Sequence, residues 1–458
     1  MTLPADFERL MCEQWGQTRA RQLFHALTST EAATAVRLNP LRSLQDTTIP
    51  LADGSVPWCP GAFYLRERPP FTFDPLLHAG AYYVQDASSM FLAAVLSRHL
   101  TSVTCALDLC AAPGGKSTLL RSLLPSTALL VSNEPMRQRA QILSENLTKW
   151  GHPSVMVTQN MPADFAPLPE MFDLVVADVP CSGEGMFRKD PDAIGEWSLQ
   201  NVELCQRRQR QIILDIWPSL RPGGLLVYST CTFNSFENEQ NLEWMVTELD
   251  AEVVETEIDE GWGIEGRYHL LPGHVRGEGQ YMAAVRKKST TLRSPSHHVA
   301  KPVAPRCDAR RTTVRFPQWL SGEFEFFTED DACIAFPAAH SQLRRTLSRS
   351  LNVVSQGVRV AEMRGRDWQP AHALAMSASL VRSAFPQVEL TPDQALQYLR
   401  REAISITAPR GIVLVTYGSL PLGFVKNLGP RANNLYPQEW RIRSGHSQRF
   451  SLFASLPQ

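Results

Sequence analysis

Two cysteines each stand just after an apolar run that predicts a buried strand. Cys181 follows the run 172–177 after Asp178-Val179-Pro180, and Cys231 follows the run 225–230. Ligands of open α/β sheets bind at the carboxyl ends of the strands, so both thiols and the Asp178 carboxylate are expected at that edge. A free cysteine is more often a small buried hydrophobic residue, and six of the other cysteines fit that interpretation. Two thiols at equivalent strand ends fit it poorly and indicate nucleophilic chemistry.

A loop of small residues follows the predicted strand 103–109. Small residues let a ligand approach the backbone closely, and the helix predicted from Ser117 offers unpaired N–H groups. The end of the loop resembles a phosphate-binding P-loop, but Cys110 stands where that motif needs glycine and Pro113 lacks a backbone N–H. The sequence therefore favours a nucleoside-bearing cofactor over a nucleoside triphosphate. The loop consists of Cys110, Ala111, Ala112, Pro113, Gly114, Gly115 and Lys116.

Polar residues follow the next two predicted strands. Glu134 comes after the strand 128–133, where an acidic residue commonly binds ribose hydroxyls. Its alternative role is to cap the helix that begins near Pro135. Asn160 comes after the strand 155–158 and could reach an adenine edge, while helix capping or turn formation accounts for it about equally well.

A thiol beside a nucleoside cofactor suits methylation of a pyrimidine carbon. C5 of cytosine is a poor nucleophile, but addition of a thiolate to C6 turns C5 into an enamine carbon that can attack an electrophilic methyl group. After the transfer, a base must remove the C5 proton so that the thiol can leave. The reaction needs an activated thiolate, a second group that resolves the adduct, and an acid or hydrogen bond at the N3/N4 edge of the ring, for which Asp178 is the candidate.

Three blocks of the chain together resemble the Sun-type family of RNA cytosine-C5 methyltransferases. The blocks are 108–117 with the sequence DLCAAPGGKS, 178–186 with DVPCSGEGM, and 229–232 with STCT. Shorter stretches agree with the same family, so the resemblance covers most of the chain. Relatives often carry alanine where this chain has Val179, and some carry aspartate in place of Asn160. The shorter stretches are 3–7, 85–90, 274–279, 426–427 and 436–437.

The resemblance implies a role for each candidate residue. Cys231 would be the nucleophile, and Cys181 would assist elimination and product release. Asp178 and Lys116 would face the target base. S-adenosylmethionine (S-adenosyl-L-methionine) would be contacted by residues 110–116, Glu134, Asn160 and Asp178.

The family resemblance makes RNA the expected partner, with 16S rRNA or the small ribosomal subunit as the substrate and tRNA as the alternative. A base in structured RNA must be splayed out to meet both cysteines. Arg188 and Lys189 follow the Cys181 loop and are predicted to contact the flanking phosphates. A DNA cytosine-C5 methyltransferase would use Cys181 as its nucleophile and leave Cys231 without a role. A non-catalytic RNA-binding assembly factor would need neither thiol.

Composition limits the remaining classes. A formal net charge of -1 gives no global attraction to nucleic acid, so RNA binding would depend on local patches. The nine cysteines include no Cys-x-x-Cys pair, which predicts neither a zinc site nor a secreted disulfide framework. The early charged residues argue against a signal peptide, and no apolar stretch is long enough to span a bilayer. We expect a reduced, cytoplasmic, monomeric enzyme without a metal.

The alternation of strand and helix patterns from Val103 predicts an α/β fold with a mostly parallel, doubly wound, Rossmann-like methyltransferase sheet. An N-terminal α+β extension and a C-terminal β-rich domain flank it, and the resemblance identifies the latter as PUA-like. The predicted divisions are an RNA-binding extension 1–100, a methyltransferase domain 101–287, a basic linker 288–312, a mixed segment 313–390 and a PUA-like RNA-binding domain 391–458.

Overall fold

The structure is a computed structural model that describes residues 2–42, 48–264, 268–288, 310–311, 316–444 and 449–454. Most of the predicted basic linker, 288–312, lies outside these residues. Within the described residues, no helix is long and apolar enough to cross a membrane.

The N-terminal region combines a long helix with a small antiparallel sheet. The helix is interrupted at Gly16, whose φ of +74° is non-helical. The sheet has the order β2-β3-β1-β4. The elements are α1 (Ala5–Ser29), β1 (Thr34–Leu38), β2 (Ala52–Ser55), β3 (Ala62–Leu65), α2 (Pro75–His78), β4 (Tyr82–Val84) and α3 (Leu92–Leu96).

The central region alternates strands and helices as predicted. Its strands from Cys105 to Thr230 are almost continuously buried, as expected for strands covered on both faces. The elements are β5 (Cys105–Asp108), α4 (Gly115–Leu123), β6 (Leu129–Asn133), α5 (Arg137–Trp150), β7 (Val155–Thr158), β8 (Phe172–Asp178), α6 (Pro191–Glu196), α7 (Leu199–Ile216), β9 (Leu220–Thr230), α8 (Glu239–Glu248), β10 (Ala251–Val254), β11 (His269–Leu270) and β12 (Gln280–Lys287).

The C-terminal half contains two further sheets. Its elements are β13 (Arg310–Arg311), β14 (Phe324–Glu329), β15 (Ala332–Pro337), α9 (Ser341–Ser350), β16 (Val353–Gln356), β17 (Val358–Arg364), β18 (Asp367–Pro370), α10 (His372–Met376), β19 (Gln387–Glu389), α11 (Pro392–Leu399), β20 (Gly411–Tyr417), β21 (Leu420–Asn427) and β22 (Ala432–Asn434). The strand orders are β13-β14-β15-β17-β18 and β19-β20-β21-β22.

The central sheet has the order β10-β12-β9-β8-β5-β6-β7-β16, with β11 paired to β12. The five strands β9, β8, β5, β6 and β7 are parallel, and antiparallel strands extend both ends, so the sheet is mixed rather than mostly parallel. The chain runs from β5 through β6 to β7 and then returns to β8 on the other side of β5. The crevice between β5 and β8 is therefore the switch point at which such sheets bind ligands.

The strand β16 belongs to the segment 313–390, yet it pairs with β7 of the central sheet through Val353, Ser355 and Gln356. The middle segment is thereby joined to the methyltransferase sheet by a strand ladder. Sequence could not indicate this pairing because β16 has only four residues and no local turn connects it to β7.

Hydrophobic packing joins the outer regions to the site. Phe7 of α1 packs edge-on against Phe187 and Trp197, and the same cluster includes Phe233. Phe187 follows the Cys181 loop and Phe233 follows Cys231, so α1 supports both loops. A second cluster combines apolar residues of the N-terminal sheet with those of the C-terminal sheet.

The strand β9 begins at Leu220 and includes residues 221–224. The pairing of β9 with β8 shifts register between Phe172 and Leu174, which accommodates the Pro222-Gly223-Gly224 stretch as an irregularity of the ladder.

Candidate active site

The two cysteines predicted from strand ends meet in the structure. Cys181 Sγ lies 3.2 Å from Cys231 Sγ. The strands that carry them, β8 and β9, are parallel neighbours, with Asp178 paired to Ser229. Both cysteines are free thiols and partly exposed. One sulfur can therefore donate a hydrogen bond to the other at a site open to a substrate.

Glycines make this approach possible. Gly183 has a φ of +78°, a conformation that favours glycine and turns the Cys181 loop back toward β9. The backbone N–H of Gly185 then donates to the carbonyl of Cys231 at 2.8 Å. A Cβ on Gly185 would lie 2.9 Å from that carbonyl oxygen, so a larger residue would push the loops apart.

The surroundings of Cys181 favour its protonated form. The hydrogen bond with Cys231 and burial both raise the pKa of the Cys181 thiol well above its ordinary value. A protonated Cys181 can donate its hydrogen bond to Cys231 across the 3.2 Å that separates the two sulfurs.

An ion pair lies at the end of β8, beside the thiols. Lys116 Nζ lies 2.9 Å from Asp178 Oδ2. The other carboxylate oxygen, Oδ1, accepts hydrogen bonds from Ser229 Oγ at 2.6 Å and Gln280 Nε2 at 3.2 Å. Burial lowers the pKa of Lys116, but the Asp178 charge outweighs it, so that the pKa lies above its ordinary value. These contacts hold the Lys116 ammonium group and the Asp178 carboxylate in fixed positions at the end of β8.

The loop 110–116 and the end of β5 have features suited to a nucleoside cofactor with an amino-acid tail. Gly114, with a φ of +115°, precedes α4, and no side-chain hydrogen bond caps the start of that helix. Asp108 is fully buried; one of its oxygens accepts from Ser117 Oγ at 2.6 Å. The other, Oδ1, has no hydrogen-bond partner among the described residues. Burial raises the pKa of Asp108 to about 7. The ammonium group of an amino-acid tail would pair with Asp108 Oδ1. The carboxylate of that tail would bind at the start of α4.

Glu134 binds the backbone that leads into α5 and lies beside Arg139. Its Oε1 accepts from the backbone N–H of Met136 at 3.0 Å, at the start of α5. Arg139 lies 3.5 Å from its Oε2 and donates to the Ala112 carbonyl of the cofactor loop at 3.0 Å. The carboxylate is buried beside that loop, and ribose binding by it stays a prediction.

Asn160 has contacts that sequence did not indicate. Its side-chain amide donates to the carbonyl of Asn352 at 3.3 Å and accepts from the N–H of Asn352 at 3.0 Å. Asn352 directly precedes β16, so the amide attaches the middle segment to the central sheet. These contacts favour a structural role, and the adenine contact stays a prediction.

Comparisons with known proteins agree on one family. The family model for the 16S rRNA methyltransferase RsmB/F matches residues 96–286, and models for the RsmF N-terminal domain and the RsmF PUA domain match 3–87 and 385–442. Ribosomal RNA small subunit methyltransferase F of Cronobacter sakazakii is 32% identical over 419 residues, which cover 85% of each chain. The chain belongs to the RsmB/F methyltransferase family. Ribosomal RNA small subunit methyltransferase F of Pectobacterium atrosepticum is 30% identical over 97% of each chain.

Solved structures support the fold of the RsmB/F family member described here. NSun6 from Pyrococcus horikoshii with SFG has a TM-score of 0.53 at 18% identity, covering 63% of this chain and 99% of its own. A methyltransferase homologue from the same organism has a TM-score of 0.52 at 24% identity, covering 61% and 94%.

Family membership confirms several predictions. The protein is an S-adenosylmethionine-dependent rRNA cytosine methyltransferase, and the α/β sheet, the N-terminal extension and the C-terminal PUA domain are present.

The contacts of Arg188 favour a structural role, and its predicted contact with RNA phosphate stays a prediction. Its side chain is 7% exposed and pairs with Glu278 through two bonds, Nε to Oε2 at 3.0 Å and Nη2 to Oε1 at 2.9 Å. Its other N–H groups face Thr30 Oγ1 at 2.8 Å and the carbonyl of Gly277 at 2.7 Å. Arg188 thus ties the Cys181 loop to α1 and the approach to β12. Lys189, next in the chain, is exposed, and its phosphate contact stays a prediction.

Replacing Arg188 with methionine should lower the free energy of unfolding by about 3–5 kcal/mol, because the buried Glu278 carboxylate would lose its charge partner. Chemical denaturation followed by tryptophan fluorescence measures the change. Lys189→Met is the matched control and should change stability by less than about 0.5 kcal/mol. Equal, small effects in both variants would contradict the buried role of Arg188.

Several polar residues of the site could not be recognised from local patterns. Asp108 and Gln280 each lie at a strand end close to a residue with a predicted role. Glu184 and Glu237 are completely buried behind the two cysteines. The available signal was their position, three residues after Cys181 and six after Cys231, in stretches otherwise rich in apolar and amide residues.

Proposed function

We propose that this chain methylates C5 of a specific cytidine in 16S rRNA through a covalent bond between Cys231 and C6, which Cys181 helps to resolve. The observation that carries the proposal is the 3.2 Å separation of Cys181 Sγ and Cys231 Sγ, beside the Lys116–Asp178 ion pair. A DNA-type arrangement would use Cys181 alone and gives no reason for a second thiol at this distance.

The residues of the site divide the reaction into two stages. In the first, the Cys231 thiolate adds to C6, while Asp178 and Lys116 hold the ring edge and balance the charge that develops on it. In the second, the C5 proton leaves to water, the C5–C6 double bond re-forms, and the electron pair of the C6–S bond returns to Cys231. The Cys181 thiol stabilises the departing sulfur by donating its hydrogen bond.

S-adenosylmethionine supplies the methyl group when it is bound. We assign its binding to the loop 110–116, Glu134 and Asp178, as the sequence predicts. We add Asp108, whose buried Oδ1 has no hydrogen-bond partner in the described part of the chain and suits the ammonium group of the methionine part. Asn160 keeps its predicted place at the adenine only as a weaker assignment, because its amide already binds Asn352.

The proposed substrate rests on the relatives. Those at 30–32% identity are named ribosomal RNA small subunit methyltransferase F, and family models for the RsmF N-terminal and PUA domains match this chain. We propose that residues 1–100 and 391–458 bind RNA and that Lys189 contacts a phosphate near the target base. One copy of the chain carries every group that the reaction uses, so a monomer is the proposed working unit.

Bisulfite sequencing of total RNA tests the substrate directly. A strain lacking the gene should lose 5-methylcytosine at one position of 16S rRNA, and the wild-type gene should restore it. A strain carrying Cys231→Ala should stay unmodified. Loss of the mark from tRNA with intact 16S rRNA would replace the rRNA proposal by the tRNA alternative.

Glu134→Gln should weaken S-adenosylmethionine binding about 10- to 100-fold, since a hydrogen bond to a charged group contributes roughly 1.5–3 kcal/mol. Isothermal titration calorimetry on the purified protein measures the Kd. Glu145→Gln removes a carboxylate of the helix α5, one that is paired with Lys149, and should leave the Kd unchanged. An unchanged Kd in Glu134→Gln would remove Glu134 from the cofactor site.

A further inference from the structure

Two buried carboxylates lie behind the thiols, and the proposed reaction gives neither of them a task. Glu184 and Glu237 are both fully buried. Glu184 belongs to the loop of Cys181, and Glu237 follows Cys231. Burial of ionisable groups is unfavourable unless several hydrogen bonds compensate, so their partners indicate what they hold.

Each carboxylate binds the backbone of the opposite cysteine loop. Glu184 Oε2 accepts from the N–H of Asn234 at 3.1 Å and also from the N–H of Phe233, both shortly after Cys231. Glu237 Oε2 accepts from the N–H of Ser182, directly after Cys181, at 3.0 Å. The exchange is reciprocal, which makes the two loops one mechanical unit.

Side chains complete this unit. The Asn234 amide bridges the carboxylates, with Nδ2 2.8 Å from Glu184 Oε1 and 2.9 Å from Glu237 Oε1. Ser182 Oγ lies 3.0 Å from Thr232 Oγ1, which adds a direct bond between the residues that follow the two cysteines. Burial, and after it the negative charge of Glu184, raises the pKa of Glu237 to about 7.

We propose that Glu184, Asn234 and Glu237 form a reciprocal clamp that positions the two catalytic sulfurs, with Glu237 fixing Cys181 for release of the product and Glu184 fixing Cys231 for attack. The residues are positioning residues, because their contacts are with the loops and not with the sulfurs. This inference rests on the proposed covalent function.

The clamp predicts opposite effects of two similar substitutions. Glutamine has one oxygen, so Glu237→Gln can accept a hydrogen bond from Asn234 or from Ser182 but not from both. Cys181 is then misplaced, while Cys231 remains able to attack. Glu184→Gln loosens the loop after Cys231, so attack itself slows. A misplacement of about 1 Å at a reacting group costs on the order of 100-fold in rate.

The test measures adduct formation and product release separately on substrate RNA with S-adenosylmethionine, using denaturing gels for the covalent complex and methyl incorporation for turnover. Glu237→Gln should release product about 10- to 100-fold more slowly and accumulate the adduct, whereas Glu184→Gln should form the adduct more slowly without accumulating it. Glu239→Gln, which removes a neighbouring carboxylate paired with His269, should match the wild type.

A second variant and two contrary results complete the test of the clamp. Glu237→Asp keeps the charge and withdraws the carboxylate by one methylene, so it should shift the same ratio less strongly and carries the test if Glu237→Gln does not fold. Formation and release that fall in equal proportion would show a merely structural role and overturn the clamp. Absence of any adduct in the wild type and in Cys181→Ala would instead overturn the covalent chemistry and the clamp with it.

Discussion

Replacing Cys181 with alanine should convert the enzyme into one that captures its RNA covalently. Cys231 retains its position on the loop after β9 and can still add to C6. The departing sulfur, however, loses the hydrogen bond that now joins the two sulfurs at 3.2 Å. We expect a stable protein–RNA complex on ordinary substrate. The steady-state rate of methylation should fall about 100-fold or more below that of the wild type.

The complex should require S-adenosylmethionine for full accumulation, because the addition of Cys231 to C6 is reversible until the methyl group has been transferred. Denaturing electrophoresis with labelled RNA quantifies it. Cys205→Ala is the matched control, since Cys205 is a buried thiol on the neighbouring helix α7 that bonds to Asn201 and not to either catalytic loop. If Cys181→Ala turned over like the control, Cys181 would have no part in release.

Replacing Cys231 with alanine should abolish methylation. Without the C6–S bond, C5 is not a carbon nucleophile, and the remaining groups can only bind the substrate. Removal of a catalytic nucleophile typically lowers kcat by about 10^4-fold or more. Binding of S-adenosylmethionine should be unchanged, because the groups assigned to the cofactor lie at the ends of β5, β6, β7 and β8, whereas Cys231 follows β9.

Filter binding of methyl-labelled product measures the activity of Cys231→Ala, and calorimetry measures its cofactor Kd. A Kd close to that of the wild type together with no detectable product separates loss of chemistry from loss of folding. Residual activity within about tenfold of the wild type would exclude Cys231 as the essential nucleophile.

Local signals in the sequence were sufficient to predict the centre of the site. Asp178, Cys181 and Cys231 each follow a buried strand, and parallel strands bring their carboxyl ends to one edge. The pairing of Asp178 with Ser229 in adjacent strands is what turns that expectation into contact. The loop 110–116 was likewise recognisable from its small residues and its place after the first strand of the sheet.

Contacts that only the tertiary fold creates could not be predicted. Arg188 has the composition of an RNA contact, but its partners are Glu278, 90 residues later, and Thr30, 158 residues earlier. Asn160 similarly binds Asn352, 192 residues away. Glu184 and Glu237 read as ordinary loop and helix carboxylates until the two loops are placed face to face. Local patterns cannot indicate which polar groups will be buried together.

Trapping on RNA that contains 5-azacytidine at the target position tests the central claim most directly. Position 5 of this base is nitrogen and carries no proton after methylation, so the attacking cysteine stays attached to C6. Peptide mapping identifies that cysteine. We predict that wild type and Cys181→Ala form the complex through Cys231 and that Cys231→Ala forms none. A complex that persists in Cys231→Ala and disappears in Cys181→Ala would contradict the assignment of the two sulfurs.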